Sequence, residues 1–258
     1  MNDSIKSLIL DMDGVLWRGS QVIGDIPDIF RKIAAKDLKF SLVTNNATRT
    51  PQDYVDRLSR LGVNVEPEQL VNSGVATATY LKEIFPDGGE IFIVGERGLI
   101  DAMSRYGFSH SDRTPLAVVA GLDRQVTYDK LSKATLFIRS GLPFIGTNPD
   151  KSIPTAKGLE PGAGAILAAL EAASDVPPKV IGKPNPEMYE VALGRLGTEP
   201  KETLVVGDRL ETDIAGGQLL GCPTALVLSG VTTKTQSEAW DPRPDFIVSD
   251  LTELLSMI

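Results

Sequence analysis

Eight short apolar runs punctuate this chain: Leu8 to Leu10, Phe40 to Val43, Ile91 to Val94, Ala117 to Ala120, Phe144 to Ile145, Val180 to Ile181, Leu204 to Val206 and Ala225 to Leu228. Between them lie stretches with helical spacing of apolar residues, at Tyr54 to Leu61, Gly98 to Tyr106, Tyr128 to Ile138, Ala163 to Ala173, Glu187 to Leu196 and Asp213 to Leu220. Short runs alternating with amphipathic segments predict βα units and a parallel sheet, so the fold class is α/β. No internal repeat or low-complexity tract breaks the pattern, and Pro177-Pro178 is the best candidate for a chain crossing between domains. The polar signature residues gather near the two chain ends, while the middle has strands and helices of its own. This organisation predicts a discontinuous domain of residues 1–79 and 179–258 with a second domain, 80–178, inserted into it.

Composition narrows the function classes. At 258 residues, 42% hydrophobic and 23% charged, the chain has ordinary globular composition and enough length for a sizeable core. Its 34 acidic and 26 basic residues leave a net charge of -8, with no Lys/Arg stripe to neutralise a nucleic-acid backbone, so nucleic acid is not an expected partner. No uncharged apolar run approaches the roughly 18 residues that a membrane span needs, and no membrane association is expected. One cysteine, Cys222, allows no intramolecular disulfide, and a cytoplasmic protein is the simplest expectation. Oligomeric state stays open, with a homo-oligomer among the options.

Candidate chemistry sits at four strand ends. In Leu8-Ile9-Leu10-Asp11-Met12-Asp13-Gly14, an apolar strand ends in two aspartates whose i, i+2 spacing turns them to the same side. Like charges held so close need a cation or a shared proton, and both are chemical tools. Phe40-Ser41-Leu42-Val43-Thr44-Asn45-Asn46 ends in a hydroxyl and amides that suit a phosphate or carboxylate oxygen, although taken alone it reads equally as a capped turn. In Val180-Ile181-Gly182-Lys183-Pro184, the lysine is fixed between glycine and proline and can neutralise a phosphate or a carboxylate. Leu204-Val205-Val206-Gly207-Asp208 leads on to Glu211 and Asp213; such acidic residues read either as complements to a helix dipole or as metal ligands. Together the four supply a carboxylate nucleophile, a second carboxyl for proton traffic, oxygen ligands for a hard cation and groups to hold a phosphate.

Other features carry less. His110, the only histidine, excludes a multi-histidine metal site and reads as a solvated loop residue in the polar stretch Ser109 to Thr114. Cys222, between Gly221 and Pro223, reads as packing. Gly162-Ala163-Gly164 imitates a dinucleotide fingerprint, but Leu167 takes the place of its last glycine and no strand leads into it, so a nicotinamide cofactor is not expected. Thr147-Asn148-Pro149-Asp150 reads either as a turn or as part of a closed site.

These motifs make the chain resemble the haloacid dehalogenase-like hydrolase superfamily: Asp11-Met12-Asp13-Gly14, Thr44, Lys183 and Gly207-Asp208 with Asp213 match its four motifs. Thr147 to Asp150, Pro161 to Gly164, Gly182 to Pro184 and Gly207 to Ile214 look like its NagD-like branch, which includes 4-nitrophenylphosphatases and phosphoglycolate phosphatases. The resemblance implies a Rossmann-like parallel-sheet core with an inserted α/β cap that selects substrate. It implies that Asp11 attacks phosphorus to form an aspartyl-phosphate and that Asp13 protonates the leaving oxygen and then activates water. Mg²⁺ would be held by Asp11, the backbone carbonyl of Asp13 and Asp208, with Asp213 as a ligand or as support. Thr44 and Lys183 would hold the phosphoryl group, with Asn45 beside them, while Asn148 and Asp150 would contribute to specificity. The expected activity is hydrolysis of a small phosphorylated metabolite. A phosphomutase-type transferase, which must keep water from the aspartyl-phosphate, and a receiver-like phospho-aspartate module are the alternatives. Asp13 and the large insertion argue against the latter, and a carboxylic acid at Asp13 suits an oxygen leaving group better than a halide.

Overall fold

In the computed structural model, which describes residues 5–155 and 157–258, the chain forms two compact units. The first comprises the chain up to Thr44, Pro51–Val71 and Lys183–Ile258; the second comprises Asn45–Thr50 and Asn72–Gly182. Position 80, the expected start of the insertion, falls inside the helix Ser73–Ile84. At its expected end, the strand Lys179–Val180 pairs with Phe144–Gly146, within the second unit.

The first unit is built on a six-stranded sheet in the order Phe246–Val248, Thr224–Val227, Thr203–Gly207, Ser7–Leu10, Lys39–Thr44, Leu70–Asn72. Ser7–Leu10 lies between Lys39–Thr44 and Thr203–Gly207 and is parallel to both. The register sets Leu10 opposite Leu42 and Val206, so the chain leaves all three strands at one edge, where Asp11, Thr44 and Asp208 follow. The order of the sheet reverses beside this central strand, the place where open α/β sheets bind ligands. Ser7–Leu10 is buried throughout, which explains why it reads as an unbroken apolar run instead of an alternating one. Helix Ile26–Ala35, absent from the expected segments, has a legible face at Ile26, Ile29, Phe30 and Ile33, all buried in the same core as Leu8 and Leu10. Its start is set by the Asp25 carboxylate, which accepts from the Asp28 N–H at 3.1 Å.

The second unit has a five-stranded sheet ordered Lys179–Val180, Phe144–Gly146, Val118–Ala120, Gly89–Val94, Phe108–His110, with every adjacent pair parallel. Helices Tyr128–Arg139 and Ala163–Ser174 contribute Ala134, Ile138, Ile166, Leu167 and Leu170 to the core beneath it. An antiparallel pair, Ser152–Thr155 with Gly158–Pro161, extends this unit. His110 lies in an edge strand, not a loop: its Nδ1 accepts the Ile93 N–H at 3.0 Å, a partner no periodicity shows. Cys222 is buried, and burial pushes its thiol up to about 11, in keeping with packing. Among the described residues, no helix is long and apolar enough to cross a membrane.

The segment Asn45–Thr50 belongs to the second unit because its backbone is bound there. Asn72 Nδ2 donates to the Arg49 carbonyl at 2.8 Å, the Gly98 N–H to the Thr48 carbonyl at 3.2 Å, and Ser73 Oγ to the Asn45 carbonyl at 2.5 Å. The same Asn72 caps helix Ser73–Ile84, its Oδ1 accepting from the Val75 N–H at 2.8 Å. Asn72 is buried, so Asn72→Ala strands a donor and an acceptor together. Chemical denaturation should register a loss of about 1–3 kcal/mol, with Asn72→Asp, which keeps the cap, losing less. Equal stability in Asn72→Ala and the parent protein would show that neither bond matters.

Candidate active site

Asp11 follows the central strand, and its backbone N–H donates to the Val206 carbonyl at 2.9 Å, continuing the sheet pairing for one more residue. Its buried carboxylate meets the Lys183 ammonium, with Nζ 2.6 Å from Asp11 Oδ1. The same Nζ lies 2.7 Å from Asp213 Oδ1 and 3.2 Å from the Val43 carbonyl. All three donors of the ammonium are thereby accounted for inside the protein. Asp11, Asp208 and Asp213 are all buried, and each offers an oxygen within 4.8 Å of the others. Four of the residues singled out from sequence thus converge on one point.

The electrostatics follow from this crowding. Burial pushes the Asp11 carboxyl well above its usual range; Lys183 opposes the rise, and Asp213 and Asp208 add to it. Asp208 is raised to about 6, first by burial and then by Asp213, against the Val231 N–H that stabilises its charge. Burial works against the charge on Lys183, but the Asp11 and Asp213 carboxylates outweigh it and hold the ammonium well above its ordinary value. A lysine so placed stays protonated. It serves as a fixed cation, not as a base.

The two carboxylates after the strand Thr203–Gly207 are treated differently. Asp213 has both oxygens engaged, Oδ1 by Lys183 and Oδ2 by the Arg209 N–H at 3.2 Å. The Tyr189 hydroxyl, 3.0 Å from the Thr212 carbonyl and 3.3 Å from that of Asp213, braces the wide helical turn Leu210–Ile214 that carries it. Burial, with Asp213 adding to it, lifts the Tyr189 phenol well above its usual range, so it remains a donor. Asp208 Oδ2 accepts the Val231 N–H at 2.7 Å, whereas Asp208 Oδ1 is buried with no hydrogen-bond partner among the described residues. An orphaned carboxylate oxygen beside two other carboxylates is the donor set that a hard divalent cation fits.

Glycines let these groups approach. Gly14, at φ +93°, and Gly230 lie so close to the Asp208 carboxylate that a β-carbon on either would overlap it, and one on Gly207 would overlap Asp213. Asp13 is exposed, and the Trp17 indole N–H donates to its Oδ1 at 3.1 Å. Thr44 is buried at the end of its strand.

Asn45, Asn148 and Asp150 lie in the second unit. Asn148 Nδ2 donates to the Asn45 carbonyl at 2.7 Å, and Asn45 Nδ2 donates to Asp150 Oδ1 at 3.3 Å. The turn Thr147 to Asp150 therefore grips the Asn45 segment. Gly162 and Gly164 explain themselves here, since a β-carbon on either would strike the carbonyls of Asp150 or Pro149. Sequence reasoning passed over Trp17, Tyr189, Ser229 and Gly230. Of these, only Ser229-Gly230 carried a signal, a small-residue turn just past the apolar run Ala225 to Leu228.

Comparison with known proteins agrees with this architecture. A family model described as haloacid dehalogenase-like hydrolase matches residues 8–109, and a related HAD-hydrolase-like model matches residues 180–254. An acid sugar phosphatase of Staphylococcus aureus is 37% identical over 252 residues, 97% of each chain. Among solved structures, the p-nitrophenyl phosphatase of Archaeoglobus fulgidus matches with TM-score 0.93 and 30% identity, over 99% of this chain and 100% of its own. NagD from E. coli K-12 matches with TM-score 0.90 and 34% identity, over 97% of this chain and 98% of its own. With its motifs at the carboxyl edge of a parallel sheet and likeness running nearly end to end, the chain belongs to the haloacid dehalogenase-like hydrolases, in the branch of NagD and the 4-nitrophenylphosphatases.

Proposed function

We propose that the protein is a Mg²⁺-dependent phosphatase of small-molecule phosphomonoesters that works through an aspartyl-phosphate on Asp11. The observation that carries this reading is the buried Asp11 carboxylate, held at 2.6 Å by Lys183 at the end of the central strand and flanked by two further carboxylates. A carboxylate with one oxygen tied to a fixed ammonium is oriented for attack on phosphorus. The new Asp11–phosphorus bond forms as the bond to the leaving oxygen breaks, and Asp13 gives that oxygen a proton. Asp13 then takes a proton from water, whose oxygen bonds to phosphorus as the Asp11–phosphorus bond breaks. Thr44 offers a donor and Lys183 its fixed positive charge to the phosphoryl oxygens, and Asn45 follows Thr44 in the chain. In this reading Asp11, Asp208 and the Asp13 backbone carbonyl hold the cation, and Asp213, with both oxygens engaged, supports Lys183. When bound, Mg²⁺ supplies positive charge that lets carboxylates and an anionic phosphate approach one another.

Substrate selection is assigned to the unit containing Asn72–Gly182. Asn148 and Asp150 are engaged with Asn45, so their part is to hold that segment more than to read the substrate. The names of the relatives make sugar phosphates and aryl phosphates the first substrates to try.

Phosphate release without an added acceptor, followed across a panel of such esters, tests the activity and separates hydrolysis from group transfer. Asp11→Asn should fold normally yet lose turnover by at least about 1,000-fold on every ester. Turnover within a few fold of the parent protein would remove Asp11 as nucleophile.

The raised pKa of Asp208 generates a prediction about stability. An acid whose folded value is about 6 against an ordinary value of 3.8 favours folding fully below about pH 4, and this contribution is lost as pH rises through about 6. The metal-free protein should therefore be less stable than Asp208→Asn at pH 7.5, by up to about 3 kcal/mol, and the gap should narrow to about 1 kcal/mol near pH 4.5. Excess Mg²⁺ at pH 7.5 should stabilise the parent protein and have less effect on Asp208→Asn. Thermal melts with chelator and with Mg²⁺ measure both. A gap independent of pH, or equal stabilisation of the two proteins, would contradict this view of the carboxylate.

A further inference from the structure

Asp13 poses a physical problem for any proton transfer assigned to it. It is exposed and follows the strand in a turn, yet a proton donor must point at the leaving oxygen, which requires its carboxyl to be held in one rotamer. The structure supplies a constraint in Trp17, fully buried, whose indole N–H donates to Asp13 Oδ1 at 3.1 Å. The ring cannot easily move. Trp17 opens a hairpin with Gln21–Val22, its carbonyl accepts the Gly14 N–H at 2.7 Å, and its own N–H reaches the Met12 carbonyl at 3.3 Å. Arg57 lies over the indole face, 3.7 Å from guanidinium carbon to ring centroid, and donates to the Gly19 carbonyl at 2.6 Å. That contact ties the ring to the turn of the hairpin. Indole offers one donor and no acceptor, so its N–H can serve only to hold an acceptor such as this carboxylate.

We propose that Trp17, braced by Arg57, is a positioning residue that aims the Asp13 carboxyl at the leaving oxygen. The proposal rests on the reading of Asp13 as the general acid. It carries a signature that a merely structural tryptophan would lack. An alkoxide from a sugar or alkyl phosphate is a poor leaving group and needs its proton as the bond to phosphorus breaks; 4-nitrophenolate departs without one. Misaiming Asp13 should therefore harm the first class of substrate and spare the second. The ratio kcat/KM isolates this step, since it is insensitive to the later hydrolysis of the aspartyl-phosphate.

The test compares kcat/KM for an alkyl or sugar phosphate and for 4-nitrophenyl phosphate. It uses Trp17→Phe and a protein with β-(3-benzothienyl)alanine at position 17, an isostere that fills the same space without the N–H. Each is made in the parent protein and in Asp13→Asn. Removing the N–H should lower kcat/KM roughly 10-fold or more on the alkyl ester and less than about 3-fold on the aryl ester, with no further loss on the alkyl ester in Asp13→Asn. Should Trp17→Phe fail to fold, the isostere alone decides. Parent-level activity on the alkyl ester with the isostere, when Asp13→Asn is impaired, would overturn the proposal and leave the reading of Asp13 standing, as would an equal loss on both esters or an undiminished loss in Asp13→Asn. An Asp13→Asn protein as active as the parent on the alkyl ester would overturn the reading of Asp13 and the proposal together.

Discussion

The shared ammonium of Lys183 is the interaction on which the rest of the first unit's polar architecture depends. Three carboxylates buried within 4.8 Å of one another would repel prohibitively without compensation. Lys183 spans two of them, at 2.6 and 2.7 Å, and a third acceptor, the Val43 carbonyl, completes its shell. Such an assembly is weak evidence for stability, because desolvating the charges offsets much of their attraction. Its value lies in orientation. With every carboxylate ionised, the three Asp residues and one Lys sum to a charge of -2, which one divalent cation balances; without a cation, protons make up part of the deficit, in line with Asp208 raised to about 6.

The backbone is built to permit this crowding. Parallel pairing brings the ends of three strands into line, which sets Asp11 and Asp208 at one edge although 196 residues separate the paired Ser7 and Thr203. Gly14, Gly207 and Gly230 then bring chain within reach of carboxylates where any side chain would collide. Arg18 extends the same logic from the hairpin, its Nε donating to the Ser229 carbonyl at 2.5 Å, while Ser229 Oγ donates to the Gly14 carbonyl at 2.7 Å. The turn bearing Gly230 is thus tied to the turn after Asp11, and between them they enclose one side of Asp208. Rigid support of this kind is what a charged site needs if its groups are to hold their geometry without water.

Much of this was legible in the sequence, for identifiable reasons. Strands such as Ser7–Leu10 and Val118–Ala120 are buried on both faces, so they stand out as apolar runs, and Glu187–Leu196 keeps the bounds its spacing predicts. Asp11, Asp208 and Lys183 stand within two residues of apolar runs and were visible as polar residues near strand ends. The partners were not. Lys183 and Asp11 are 172 positions apart, and no local pattern encodes that contact. The helix expected from Asp213 begins instead in the wide turn Leu210–Ile214, because Asp213 folds back to accept the Arg209 N–H. Trp17 looked like one more apolar residue, since the contact of its indole N–H with Asp13 exists only in the folded chain. Asn148 and Asp150 were legible as a polar turn, but their engagement with Asn45 appears only in three dimensions.

If Asp11 is the nucleophile, phosphorus is bonded to it during turnover. Acid quenching of the enzyme midway through hydrolysis of an excess of 4-nitrophenyl phosphate with Mg²⁺, followed by proteolysis and mass spectrometry, reads this directly. The account predicts one phosphoryl group on the peptide containing Asp11, localised to that residue and discharged when substrate is exhausted. A label on another residue, or rapid turnover with no covalent species at any quench time, would contradict it.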